Sequence, residues 1–123
     1  MPATSPPRPM PPIAIRAFSA TTALGHGVEA QAGALAARRG GLRRNDFGPS
    51  PLPTWIGRVD GIEDAPLPEA LAAWECRNNR LAWLALNQDG VWQAMQSLRT
   101  RFASHRLGVA LGTSTASIGE TED

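Results

Sequence analysis

The sequence predicts a small α/β protein with the element order strand, helix, irregular excursion, helix, strand. Three observations carry this. Ile13 to Ala20 sets Ile13, Ile15 and Ala17 on one strand face and runs through a Gly-containing turn into a helix-forming stretch. Asn78 to Ala103 repeats its apolar residues at spacings of three and four. Leu107 to Gly119 (LGVALGTSTASIG) opens as a short apolar run and ends in Gly, Ser and Thr. A strand that feeds a helix and is answered by a second buried strand favours a mostly parallel sheet with a right-handed crossover.

Length and composition set the limits. At 123 residues the chain is at most one small domain, and 42% hydrophobic with 19% charged content supports a globular core. Twelve basic and eleven acidic residues give a net charge of +1, which provides no long-range steering toward nucleic acid or anionic membrane. Every basic residue apart from the two histidines is Arg, so lysine Schiff-base and P-loop chemistry are excluded. One cysteine excludes an internal disulfide and a cysteine-based zinc cluster. No apolar run is long enough to span a bilayer, and the N-terminus lacks the apolar core of a signal peptide, so a cytoplasmic location is expected. The residues call for no cofactor and no metal.

Residues 1–12 carry six prolines and are expected to form a flexible tail, leaving 13–123 as the folded part. Within the first unit, Ile13, Ile15 and Ala17 share one strand face. TTALGHG makes the turn, and Val28 to Arg38 makes the helix, with Leu24, Val28, Ala32 and Leu35 on one side. Arg38 and Arg39 suit a helix C-terminus, and Gly40 and Gly41 are expected to stop the helix. Gly41 to Pro68 is the least regular stretch, with five prolines; within it Thr54 to Val59 reads as a short edge strand of a covering excursion. Pro68 is placed to begin a helix, followed by Glu69 in the favourable first turn, with Leu71 and Trp74 as its expected buried face. In the long helical stretch Leu81, Leu84, Gln88, Val91, Met95, Leu98 and Phe102 form the stripe, and Asp89-Gly90 predicts a break or two consecutive helices. Leu107 to Gly112 is the closing strand. Two or three strands make a poor sheet, and the apolar helix faces ask for more surface than 123 residues supply.

Several residues invite a chemical reading. Gly112-Thr113-Ser114-Thr115-Ala116 approaches the nucleophile elbow, but Ala116 replaces its last Gly, and no His or Asp follows to complete a triad in the usual order. A strand-to-loop turn with hydroxyls on nearby backbone outranks a nucleophilic Ser114. Cys76 sits near a predicted helix start, as a catalytic thiol would, yet a small packed residue explains it better. His105 suits a helix C-terminus, and His26 in the LGHG turn has no partner visible in the sequence. Trp55, Trp74, Trp83 and Trp92 are expected as core or interface anchors.

Three separated segments resemble one family. IAIRAFSATTALGHGVEA followed by ARRGGLR is similar to the opening strand, "G-x-x-[ST]-x-x-G" turn and first helix of the β-ketoacyl-acyl-carrier-protein synthases, and to the "G-x-S-G-[IL]" element that follows. CRNNRLAWLAL looks like that family's "D-x-R-[ST]-R-[FM]-A" helix start. RLGVALGTSTASIGE resembles its "R-[IV]-G-V-x-x-G-[ST]-x-x-G-G" strand and loop. The order and spacing agree across the chain apart from the proline tail.

The resemblance implies the incomplete N-terminal portion of a thiolase-like layered α/β/α fold. It implies decarboxylative condensation of malonyl-carrier protein with an acyl thioester, in fatty-acid or polyene-type biosynthesis. Acyl carrier protein and a second copy of the chain are the implied partners. In the family a Cys at a helix N-terminus accepts the acyl chain, and two His assist decarboxylation and stabilise the oxyanion. Those positions lie beyond Asp123. Cys76, His26 and His105 match none of them, so no catalytic, cofactor-binding or metal-binding residue carries over, and the chain by itself is expected to be inactive. Arg77 and Arg80 match basic positions of the family, where structural contacts are expected. Two alternatives from other classes are a small non-catalytic interaction module and a serine hydrolase using Ser114.

Overall fold

A computed structural model describes residues 10–113. The fold is a mixture of short helices and two small antiparallel sheets. β1 (Thr21–Thr22) and β2 (Gly25–His26) form a hairpin in register Thr21 with His26 and Thr22 with Gly25. The Thr22 hydroxyl accepts the Leu24 amide at 3.1 Å and closes the Ala23-Leu24 turn. α1 (Gly27–Ala36) follows at once. Its Gln31 side chain receives the Thr22 hydroxyl at 2.8 Å and donates to the Gly25 carbonyl at 2.6 Å, so the helix is bonded to its own hairpin.

β3 (Leu42–Arg44) pairs antiparallel with β4 (Trp55–Gly57), in register Leu42 with Gly57 and Arg44 with Trp55. A 3-10 helix (Glu69–Trp74) leads into α2 (Arg77–Leu86). α3 (Val91–Arg101) is followed by a 3-10 turn (Ser104–Arg106). Asp89 and Gly90 separate α2 from α3 with φ of 51° and 72°. Asp and Gly adopt this left-handed region most readily, which is why the expected break falls there.

The end of α1 differs from expectation. The helix closes in a Schellman arrangement, in which the Arg39 amide donates to Ala34 O at 2.8 Å and the Arg38 amide to Leu35 O at 3.0 Å. Arg38 itself takes the left-handed conformation, at φ 52°. Gly40 and Gly41 therefore do not stop the helix. A Cβ on Gly41 would stand 2.7 Å from the Ala23 backbone, so glycine there serves the close approach of β3 to the hairpin. The inner face of α1 is Gly27, Ala30, Gln31 and Ala34 rather than the stripe through Ala32 and Leu35, and Leu35 is exposed. With small residues on several faces, packing on the hairpin decides the helix rotation.

Neither flanking strand forms. Residues 11–20 and 107–113 lie outside both sheets. Ile13 is 86% and Leu111 89% exposed. The expected parallel sheet and crossover give way to two local antiparallel pairs, each joining neighbours in sequence. Helices layered over a shared sheet do not occur among the described residues.

Among those residues the buried hydrophobic side chains are Ala34, Val59 and Ile62. Two of the three come from the proline-rich excursion, which thus supplies core and not only cover. Leu71 and Trp74, the expected inner face of the Pro68 helix, are exposed. Pro68 caps a 3-10 helix in place of starting an α-helix. The tryptophans divide: Trp83 and Trp92 meet edge to face at 5.2 Å, whereas Trp55 and Trp74 stand exposed.

Candidate functional site

The candidate site is a groove of about 440 Å³ where three distant parts of the chain converge. Thr21 enters from the hairpin. Asn78, Asn79, Leu81, Ala82 and Ala85 line it from α2, and Leu111, Gly112 and Thr113 from the segment after the last 3-10 turn. The helical period of α2 puts Asn78, Leu81, Ala82 and Ala85 on one face at spacings of three and four. Asn79 is held by a 2.8 Å hydrogen bond from its side-chain amide to the Trp74 carbonyl. The Thr21 hydroxyl oxygen is buried and has no hydrogen-bond partner among the described residues. The groove thus offers an apolar wall of Leu and Ala with amide and hydroxyl groups beside it. None of its described lining residues is an acid, a base or a thiol, so this part of the surface can orient a neutral or apolar group but not transfer a proton.

Two further arrangements hold the groove's walls. The first is an ion-paired frame under the start of α2. Arg77 pairs with Glu63 at 3.1 Å, and Arg58 with Glu63 at 3.4 Å and with Asp46 at 3.1 Å. Arg43 reaches Asp60 at 3.1 Å. Arg80 pairs with Glu75 and donates to the Glu63 carbonyl at 2.7 Å. The Phe47 ring stands against Arg77 and Arg58, with guanidinium carbons 5.2 Å and 5.9 Å from its centre. The second is Asp89. Its Oδ2 accepts the Ser19 hydroxyl at 2.6 Å and the Val28 amide at 2.9 Å. The Val28 amide is one of α1's first-turn orphan donors, so Asp89 caps that helix from the far side of the fold. A cap of this kind contributes about 1 kcal/mol.

The frame sets the acid response. The Arg58 guanidinium holds Asp46 below its ordinary 3.8; Arg77, the Glu63 backbone and Arg58 hold Glu63 below its ordinary 4.5; and Arg80 with the Leu67 amide holds Glu75 below 4.5. A carboxylate depressed in the folded state binds fewer protons there than in the unfolded chain. Its stabilisation is complete above the ordinary value and is lost as pH falls through the depressed one. Thermal melts across a pH series are expected to give a constant midpoint from neutral pH down to about 4.5, then a decline. In an Arg58→Gln variant the decline is expected to be shallower. A midpoint that rises on acidification would contradict this frame.

The sequence-predicted residues are scattered. Cys76 is the N-cap residue of α2 and lines a separate cleft of about 290 Å³ with Phe47, Ile62, Glu63, Arg77 and Arg80. His26 ends β2 and gains a partner the sequence did not reveal, the Asp60 carbonyl, 2.9 Å from Nε2. His105 lies in the 3-10 turn after α3. No structural description reaches Ser114, which falls outside the described residues together with the rest of the Gly-Ser-Thr loop. Neither histidine lines the Cys76 cleft. The sequence marks Asp89 only as part of the helix break and Glu63 not at all, because the partners of Asp89 and Glu63 lie 61 and 14 residues away.

No protein-family model matches the chain, and no curated protein or solved structure matches it. Among the described residues no three His, Cys, Asp or Glu side chains gather as metal ligands would, and no helix is long and apolar enough to cross a membrane.

Proposed function

We propose that these 123 residues are the N-terminal portion of a β-ketoacyl-acyl-carrier-protein synthase. In this reading the longer enzyme condenses malonyl-carrier protein with an acyl thioester by decarboxylation, in fatty-acid or polyene-type biosynthesis. Its partners are the acyl carrier protein and a second copy of itself. The finer part of the proposal is a thiolase-like layered fold, to which this portion contributes its first elements. One observation supports the reading beyond the sequence patterns: the three segments that resemble the family line one groove. Thr21 belongs to the first, Asn78 to Ala85 to the second, and Leu111 to Thr113 to the third. Thr21 and Thr113 stand 92 residues apart in the chain, so a chance likeness of separate stretches would not require them to meet. Arg77 and Arg80 act here as the ion-paired base of α2 and have no step of the chemistry.

The test is a condensation assay with malonyl- and acyl-carrier protein, with the β-ketoacyl product detected by mass spectrometry. The 123-residue chain is expected to give none. The product of a reading frame extended to include a Cys and two His in family context is expected to turn over. Condensation by the 123 residues alone would overturn the assignment of the chemistry to residues beyond them. An extended product that binds neither substrate, or a locus whose frame encodes no such residues, would overturn the family reading itself.

A further inference from the structure

The Asp89 carboxylate ties together parts of the chain that lie far from it. Its Oδ2 accepts the Ser19 hydroxyl at 2.6 Å and the Val28 amide at 2.9 Å. The carboxylate also lies against Gly27, where a Cβ would stand 3.1 and 3.2 Å from its two oxygens. One exposed side chain thus latches the N-terminal segment and the first turn of α1 to the α2–α3 junction. The latch bears on two walls of the candidate groove. Thr21 follows Ser19 by two residues, and α2 ends at Leu86, three residues before Asp89.

The Ser19 hydroxyl is a donor in this latch, so a change that takes its proton opens it. Esterification with phosphate does so and adds charge. The Ser19 oxygen then has no proton to give, and the phosphoryl group brings about 1.5 to 2 negative charges beside the Asp89 carboxylate at neutral pH. Two anions in contact repel, and the Val28 amide can serve only one of them. The chain around Ser19 suits a protein kinase. Residues 10–18 are exposed, and residues 10–20 lie outside every helix and strand. Arg16 stands three residues before Ser19 (RAFS), where a carboxylate beside a kinase's cleft can pair with it. Arg101 stands three residues before Ser104 as well, but that pair is not extended: Arg101 ends α3 and Ser104 begins the 3-10 turn.

We propose that Ser19 is a phosphorylation site for a serine kinase that reads Arg three residues before its target, and that the phosphate releases the Asp89 latch. The reaction joins Ser19 Oγ to the γ-phosphorus of a nucleoside triphosphate. The bond from that phosphorus to the oxygen bridging it to the β-phosphate breaks, and the nucleoside diphosphate leaves. The hydroxyl proton passes to the kinase's catalytic carboxylate. Release frees the N-terminal segment from the α2–α3 junction and lets the hairpin wall of the groove part from α2. This inference does not depend on the condensing-enzyme reading, because Arg16, Ser19, Val28 and Asp89 carry it by themselves.

The test incubates the 123-residue chain with magnesium-ATP and the catalytic domain of a serine kinase selective for Arg at that position, and maps the product by mass spectrometry. Phosphate is expected at Ser19, with none there in Ser19→Ala and about tenfold slower incorporation in Arg16→Ala. Phosphorylation is expected to lower the thermal midpoint at low salt by about 4 °C or more. Asp89→Asn keeps an acceptor for the latch and removes its charge, so the shift on phosphorylation is expected to shrink to less than half. That dependence separates a latch worked by charge from a phosphate that merely crowds the segment. Should Asp89→Asn lose its circular dichroism spectrum, a salt series on the parent takes its place, with the shift expected to shrink as ionic strength rises. Absence of incorporation, phosphate at Ser104 and not at Ser19, or an unchanged or raised midpoint would overturn the proposal. So would an equal shift in Asp89→Asn, or in the salt series a shift that salt leaves unchanged.

Discussion

Replacing Ile62 by Ala is expected to cost about 2–5 kcal/mol of folding stability. Ile62 is the largest fully buried side chain among the described residues, in a core that otherwise contains Ala34 and Val59. Removing its outer carbons forfeits their transfer from water and leaves a cavity that the surrounding chain is ill placed to fill. The loop around it is anchored on both sides: the Asp60 carbonyl is bound to His26, and the Ile62 and Glu63 carbonyls lie within reach of Arg80. Small domains hold only about 5–15 kcal/mol in all, so the loss removes a large share of the folded population. Ile62→Val is expected to cost about 1 kcal/mol. Ile13→Ala, at a residue the sequence alone places in a strand face, is expected to fall within about 0.5 kcal/mol of the parent. Urea midpoints measure all three. An Ile13→Ala loss equal to that of Ile62→Ala would move the core to the N-terminal segment and contradict the structure.

Gly25→Ala is expected to cost about 2 kcal/mol or more. Gly25 has φ of +137°, where L side chains are strained, and a Cβ built there would lie 2.8 Å from the Ala30 Cβ. Two effects therefore add: backbone strain and a collision between the hairpin and the first turns of α1. Relief of either pulls the Gly25 carbonyl away from Gln31, the bond that ties the helix to the hairpin. Gly33→Ala supplies a control of opposite sign. Gly33 lies inside α1, and nothing stands within 4 Å of a Cβ there. It is expected to gain about 0.5–1 kcal/mol, because alanine restricts the unfolded chain and favours helix. The outcome to look for against this account is equal destabilisation by both substitutions, which would mean that α1 tolerates no added methyl anywhere and that the special geometry of Gly25 is irrelevant.

The local signals were legible where the chemistry is local. The Asp89-Gly90 pair announced the break between α2 and α3 because left-handed backbone is a property of those two residues themselves. The helical stripe from Leu81 to Phe102 showed both helices for the same reason: its period repeats whatever surrounds it. The candidate groove was half legible. Its third wall begins at the loop that the sequence singles out, and its α2 wall is the NNRLAWLA run, but the buried Thr21 hydroxyl carries no mark in the sequence.

The misread elements share a cause. Ile13 to Ala20 and Leu107 to Gly112 have strand patterns, yet a strand exists only as a pair, and whether a pair forms depends on what lies alongside. The rotation of α1 could not be read because its Ala and Gly residues leave the choice of face to packing. The excursion hid Val59 and Ile62 among prolines, which made it look like a cover when it supplies much of the core.

By itself, then, the sequence determined the helices, their break, the balance of charge and the absence of lysine, because each is fixed by residues within a few positions of one another. The tertiary structure alone decided that Ile62 is buried while Ile13 is not, that Asp89 caps a helix 61 residues before it, and that Glu63 gathers Arg58 and Arg77. Those outcomes depend on contacts between distant segments. Hydrophobic burial and ion pairing are decided by the neighbours a residue meets in space, and a pattern along the chain does not name them.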